Sequence, residues 1–397
     1  MAENPQNIIR SWNLQTSFAT GPVVTDKLVP PPYGRIRTNF LQTWRTQALA
    51  NLDWGAQNFS VYLPESLRVV SAIYLRLDVP ANGSANYKPY PGLYAIRSMR
   101  LMSGGQEVYT CDRYSDFLSD YCQSLDEREL KYFANCYLGG NTATAGARTL
   151  LLPILLPNSA YLNRNGYDTR GHGVMPMFLG QNRLEIQFTL NSNLYTTADR
   201  SAVTGAITSA SLKYHEVIMT SANLLKYSDL RGAYSIVTRR FTNMTPSWES
   251  YPVADAVMRW QVSQPQGVVT EVQIIAVAEG ANEDEYSAHT YILPTMFRVV
   301  ADSITQKELA DSQDVLVENW VNGFHPPDDF PSPGRLCFAA HCGDSSTHRY
   351  SGGYNTTLSS NISFEFSFSA AVRYRLIAVQ LQRVKIDALG KMHAYLE

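Results

Sequence analysis

Cys337, His341, Cys342 and His348 bring two thiols and two imidazoles into one loop rich in Gly and Ser. Thiolate and imidazole are the ligands of tetrahedral zinc, but the spacing here matches no closed zinc site. The run "NEDEY" gathers Glu283, Asp284 and Glu285. Hard carboxylate oxygens suit calcium, yet the Asp/Asn spacing and the glycine of a calcium loop are missing, and a solvated turn accounts for the run. Asp328 and Asp329 sit between prolines in "HPPDDFPSPG". Two carboxylates that cleave a glycosidic bond must approach it from opposite sides, which adjacent residues of a proline-stiffened loop do not do. His215-Glu216 opens like a zinc-protease motif, but Met219 stands where the second histidine belongs. "GHGVMP" (171–176) has Pro176 in place of a third glycine, "LGKM" (389–392) lacks a phosphate-binding loop, and "GDSST" (343–347) lacks the closing glycine of a nucleophile elbow. The sequence therefore assigns no catalytic, cofactor-binding or metal residue. It predicts a protein without a cofactor that is not an enzyme.

The balance of residues points to a protein among other proteins. Charged residues make up 17% of 397, against a usual value of about 25%. There are 24 Tyr and 15 Phe. Protein interfaces deplete Lys, Glu and Asp and enrich aromatics, as this chain does. The net charge is −2, with 33 basic and 35 acidic residues and no block of one sign. That excludes the basic footprint of a nucleic-acid wrapper, and no sequence-specific nucleic acid binding is expected. Five dispersed cysteines fit a reducing place of synthesis. The N-terminus "MAENPQNIIRSW" has no apolar core of a secretion signal.

Strand patterns dominate. "VVSAIYLRLDV" (69–79), "YAIRSMRLM" (94–102), "NRLEIQFTL" (182–190) and "ASLKYHEVIM" (210–219) read as strands. So do 258–263, 268–278, 297–302, "NISFEFSFS" (361–369) and 373–386. In "NISFEFSFS", Ile362, Phe364, Phe366 and Phe368 share one face, which should pack on a second sheet of the same domain. Its Ser/Glu face is left to solvent or a neighbour. Helical periodicity is rare. Tyr114, Phe117, Leu118, Tyr121 and Leu125 predict one helix within 113–133, with Ser115 and Asp116 as candidate caps. A weaker pattern covers 304–323, with Leu309, Leu316, Trp320 and a closing Gly323.

The chain also echoes itself. "VVSAIYLRLDVPANGSANY" starts at Val69, and "VVTEVQIIAVAEGANEDEY" starts 199 residues later at Val268. In both halves there follow a strand, a candidate helix, a long irregular stretch, an alternating strand and a closing strand. The repeated order predicts two similar β domains in tandem, joined near Gly232.

"YAIRSMRLMSGGQEVYTCDRYSDFL" is a strand, a Gly-Gly turn, a short strand and a helix. Together with "LLLPILLPNSAYLN … MPMFLGQNRLEIQFTLN" it resembles the first domain of double jelly-roll major capsid proteins of tailless icosahedral viruses, a group of phages, virophages and large DNA viruses. The resemblance covers residues 60–220, and the internal echo extends it to the second half. It implies an all-β fold of two tandem eight-stranded antiparallel jelly rolls, with short helices in the connections. The divisions would be an arm (1–30), a first roll (31–231), and a second roll with the C-terminal tail (232–397). It also implies a homotrimeric, nearly hexagonal capsomer that tiles an icosahedral virion shell. Neighbouring capsomers and penton or minor capsid proteins would be its partners, with an internal membrane reached through the arm. The virion would be its location and the host cytoplasm its place of assembly. Segments 139–180 and 323–360 would be outward loops. Two other readings stand beside this one: a two-domain β-sandwich carbohydrate-binding protein or glycosidase, and a minor virion vertex or spike protein.

Overall fold

The computed structural model describes residues 41–396 except 51, 53, 55–57, 65–68, 82–85, 124–126, 137, 141–145, 155–174, 177–181, 192–193, 195–206, 208, 219–234, 246, 262–266, 281–290, 323, 325–331, 339–352 and 360. Sixteen strands carry the architecture. The first eight are β1 (Leu41–Leu49), β2 (Phe59–Tyr62), β3 (Val69–Val79), β4 (Ile96–Ser103), β5 (Gln106–Cys111), β6 (Arg148–Pro153), β7 (Leu184–Leu190) and β8 (Ala210–Ile218). The second eight are β9 (Ser235–Asn243), β10 (Met258–Gln261), β11 (Val268–Ala278), β12 (Met296–Ala301), β13 (Ile304–Leu309), β14 (Gly334–Cys337), β15 (Ile362–Ser367) and β16 (Val372–Ile386).

They form four antiparallel sheets. In the first half the orders are β1-β8-β3-β6 and β2-β7-β4-β5. In the second half they are β9-β16-β11-β14 and β10-β15-β12-β13. Adding eight to every label of the first pair gives the second pair. Each pair is a two-sheet roll whose consecutive strands cross between sheets, except at the β4–β5 and β12–β13 hairpins. Short strands at Met175–Pro176, Glu249–Tyr251, Tyr354–Asn355 and Met392–Leu396 extend the larger sheets.

The echo reaches individual irregularities. A register shift falls between Val70 and Ala72 in β3, and another between Val269 and Glu271 in β11. The β4–β5 hairpin turns through Gly104 and Gly105, and the β12–β13 hairpin through Asp302 and Ser303, all four with positive φ. Such a two-residue turn matches the twist of the strands it joins. At Gly104 an added Cβ would also come within 2.3 Å of the Asn182 side chain.

Alternation builds the cores. Leu184, Ile186, Phe188 and Leu190 on β7 point inward, and the residues between them stay half-exposed. In the second roll Ile362, Phe364, Phe366 and Phe368 are buried in that roll's own core. Phe366 meets Tyr374 of the facing sheet at 4.7 Å between ring centroids. Of the two fates expected for the opposite face of β15, solvent or a neighbour, exposure to solvent is not what the fold gives: Ser363, Glu365 and Ser367 are buried too. Long arginines from the flanking strands lie over it. Arg298 Nε donates to Glu365 at 2.7 Å, and Arg259 Nε donates to Ser363 Oγ at 3.1 Å.

Two helix readings need correction. Instead of one helix over 113–133 there are α2 (Tyr114–Gln123) and α3 (Glu127–Cys136), after a short α1 (Pro91–Tyr94). Asp116 does not cap α2; it is drawn into an ion pair with Arg375. In the weaker segment, 304–309 is strand β13, and helix α4 spans only Ser312–Val321. Asp311 caps α4, its carboxylate accepting the Asp314 N–H at 2.8 Å. Leu309 therefore belongs to the hairpin, while Leu316 and Trp320 lie on an exposed helix face.

Candidate assembly surfaces

The two rolls meet through unlike faces. The first roll contributes β5 and α2. The second contributes the outer face of the β9-β16-β11-β14 sheet. Phe241 on β9 meets Phe117 on α2 edge-on, at 5.1 Å between centroids. Ile275, Val277, Ile377 and Val379 join the same apolar cluster as the first roll's core. Strands β11 and β16 are thus buried on both faces, which explains their near-continuous apolar sequence.

Six charges are buried in this contact. Asp116 and Asp120 lie one turn apart on α2 and face the same way. Asp120 accepts Arg335 Nη2 at 2.6 Å and Gln273 Nε2 at 3.0 Å, with Arg239 Nη1 at 3.6 Å. Arg239 Nη2 reaches Glu271 at 3.0 Å, and Gln273 also donates to Glu271 at 2.6 Å. Arg375 pairs with Asp116 and lies over the Trp248 ring at 5.0 Å, while the Arg335 guanidinium stacks on Phe324 at 3.8 Å. Three acids and three arginines balance. Each charge has lost its water, so removing one partner strands another in a dry interface. Burial also pushes the thiols of Cys111 and Cys122 up, which favours their protonated form at neutral pH.

The equivalent surfaces on the far sides of the two rolls carry exposed aromatic and aliphatic residues among those described. On the first roll's outer sheet face, Trp44 is 57% exposed and stacks against Tyr74 and His215, at 5.9 and 5.0 Å between centroids. Desolvation lowers the His215 pKa, so its ring is neutral at pH 7. On the second roll, Leu316, Val317, Trp320 and Val321 of α4 are exposed, Trp320 at 68%.

The residues singled out for chemistry are not brought together. Cys337 ends β14, buried; its carbonyl accepts Lys307 Nζ at 2.6 Å and its N–H donates to Glu318 at 3.0 Å. His341, Cys342, His348, Glu283, Asp284, Glu285, Asp328, Asp329 and Met219 lie outside the described residues. Among the described residues, no three His, Cys, Asp or Glu side chains group as metal ligands. His215 and Glu216 are neighbours on β8, Glu216 pairing with Arg45. "LGKM" belongs to the turn before Met392–Leu396, where Asp387 accepts the N–H groups of Leu389 and Lys391, each at 2.8 Å. Trp54 and Trp248 are buried, while Trp44 and Trp320 are exposed on different rolls. Among the described residues, the exposed tryptophans do not line one groove.

The buried charges belong to no reaction motif, so motif spacing does not reveal them. Their trace was present: Asp116 and Asp120 at helical spacing, and single charges inside the apolar strands at Glu271 and Arg375.

No protein-family model and no curated protein matches the sequence. Solved structures do. The PBCV-1 virus capsid protein, from a quasi-atomic capsid model, superposes with a TM-score of 0.67 at 13% identity, covering 93% of this chain and 98% of that one. The Faustovirus major capsid protein gives 0.62 at 9% identity over 96% and 98%. The mavirus major capsid protein gives 0.55 at 10% identity over 89% and 90%. These similarities run nearly end to end and agree with the twice-repeated sheet order: the chain has the double jelly-roll fold.

Proposed function

We propose that the chain is a major capsid protein. Three copies form a pseudo-hexagonal capsomer, and capsomers tile an icosahedral shell. The carrying observation is the exact repeat of an eight-stranded roll in one chain, with unlike faces joining the two copies and the same kinds of face left open at the ends. Six such rolls round a centre make a nearly hexagonal block, which is what a flat facet needs. The end-to-end likeness to capsid proteins of PBCV-1, Faustovirus and mavirus supports the same reading.

The protein acts by assembling, without catalysis, cofactor or metal. It resides in the virion after assembly in the host cytoplasm. Its partners are copies of itself, with penton or minor capsid proteins at the vertices, and no nucleic acid is read by sequence. Residues 31–231 and 232–397 are the two rolls, and residues 1–30 are an arm toward a neighbour or an underlying membrane. Expression of the chain followed by light scattering and electron microscopy tests this. A species of three times 44.4 kDa that goes on to form shells is expected. A monomer that binds oligosaccharide and never assembles would replace this reading with the carbohydrate one.

A further inference from the structure

We propose that the short strand Met392–Leu396 is a clasp that fixes the angle between the two rolls of one chain. The inference goes beyond the shell reading and does not depend on it.

The strand belongs to both rolls at once. Its backbone pairs with the end of β16: Gln382 with Leu396, Val384 with Ala394 and Ile386 with Met392. It also lies against β5 of the first roll. Met392 is 2% exposed and sits in the first roll's apolar cluster together with Val384 and Ile386, and Ala394 packs against the same cluster. Gln382 adds a hydrogen bond across the joint, its Nε2 donating to the Val108 carbonyl at 3.2 Å.

The turn before the strand is tied in place. The Asp387 N–H donates to the Lys391 carbonyl and the Gly390 N–H to the Asp387 carbonyl, each at 3.0 Å. The Asp387 carboxylate accepts two more N–H groups and lies 2.9 Å from His393 Nε2. The strand is therefore held where β16 ends.

That position gives it leverage. The pairing of β11 with β16 starts at Val269 opposite Gln380. The clasp continues on the same side of β16 from Gln382 and lengthens the sheet by about 17 Å. The joint is then anchored at two places. The Arg375–Asp116 pair marks one end. Ile386 and Met392 mark the other, about 36 Å farther along β16. A contact held by one cluster of ion pairs pivots about it. A second anchor at that distance removes the pivot. The first anchor is charged and directional; the second is apolar and bonded into the sheet.

Two variants test it by residue-resolved hydrogen exchange. One chain ends at Ile386. The other carries Met392→Asp, which puts a charge on the clasp's buried side. In both, amides of β5, α2 and β9 should exchange about ten-fold faster or more, as far along the joint as Phe117 and Phe241. Amides of β7 and β15, inside the rolls, should keep wild-type rates. Met392→Leu keeps the apolar contact and should exchange like the wild type throughout. Loss of protection confined to residues 382–386 and 106–108 would make the strand a local extension of the sheet and overturn the inference. Loss of protection in β7 or β15 along with the joint would make it part of a roll's own fold, and overturns it equally.

Discussion

Two sheet faces in this molecule share one strand order and one irregularity, yet differ in sequence and fate. The β9-β16-β11-β14 face carries Arg239, Phe241, Glu271, Ile275 and Arg375 and is covered by the first roll. The β1-β8-β3-β6 face carries Trp44, Tyr74, Arg76, Lys213 and His215 and is open in the single chain. The permanently covered face holds full charges, each matched to a partner on α2 or on its own sheet. The open face holds aromatics and long side chains that water tolerates. A buried ion pair is acceptable where its partner is delivered by the same chain. A surface that must exist alone before it binds favours residues with an apolar body and a polar edge.

The contrast is broken most severely by removing one charge from the covered face. Arg335→Met leaves Asp120 and Glu271 short of a partner and should cost about 3–5 kcal/mol, read by denaturant unfolding of the isolated chain. The matching change on the open face, Lys213→Met, should move the same midpoint by less than about 0.5 kcal/mol. If the two costs are similar, the covered cluster is solvated and the comparison fails.

Next in size is the aromatic pair. Phe241→Ala removes a buried ring from the contact with Phe117 and should cost about 3–5 kcal/mol at the upper end of core truncations. Trp44→Ala, at the equivalent register position, should leave the single chain nearly unchanged. Thermal unfolding of both variants separates covered from open. Equal losses would mean that Trp44 already has a structural cover.

The hairpin turns give a smaller and opposite effect. Gly104-Gly105 and Asp302-Ser303 adopt the same left-handed pair of conformations, which non-glycine residues reach at a cost of roughly 1 kcal/mol. Asp302 is occupied, accepting the Asn361 N–H at 3.2 Å. Ser303→Gly should therefore stabilise the second roll by about 0.5–1 kcal/mol in equilibrium unfolding, and a loss would show that Ser303 is held by more than its backbone.

The smallest effect lies at the C-terminal turn. The Asp387 carboxylate sits below its ordinary range of 3.8, chiefly through the hydrogen bond from His393 and that from the Lys391 N–H. A depressed carboxylate pKa favours the fold above the unfolded-state value, and this is lost as pH falls through the lower folded value. His393→Ala should raise the Asp387 titration midpoint toward 3.8, followed by carboxylate NMR. An unmoved midpoint would assign the depression to the backbone N–H groups alone.

The strands with alternating or continuous apolar patterns were legible, and so was the duplication, because both leave a periodic trace. β15 is a clear case: Phe364 and Phe366 announce a core face. Strands such as β1, "LQTWRTQAL", were not recognised, since a half-open sheet edge carries polar residues on one side and few apolar ones on the other. The helix over 113–133 was recognised but not its division, and residues 304–309 resembled a helix because Leu309 falls in phase with Leu316 and Trp320. The pattern of exposed residues on α4 was the least legible feature. Leu316, Val317 and Trp320 look like core in sequence, and the fold leaves all three more than half exposed.

The central claim is that two alike rolls are joined by unlike faces within one chain, and that copies of the chain complete the assembly proposed for it. A cryo-electron microscopy map of the assembled oligomer tests it most directly. The predicted map has six rolls in a ring, two from each of three chains, with the α2–Phe241 contact inside every chain. A map of a single chain, or of a ring with another number of rolls, would contradict it.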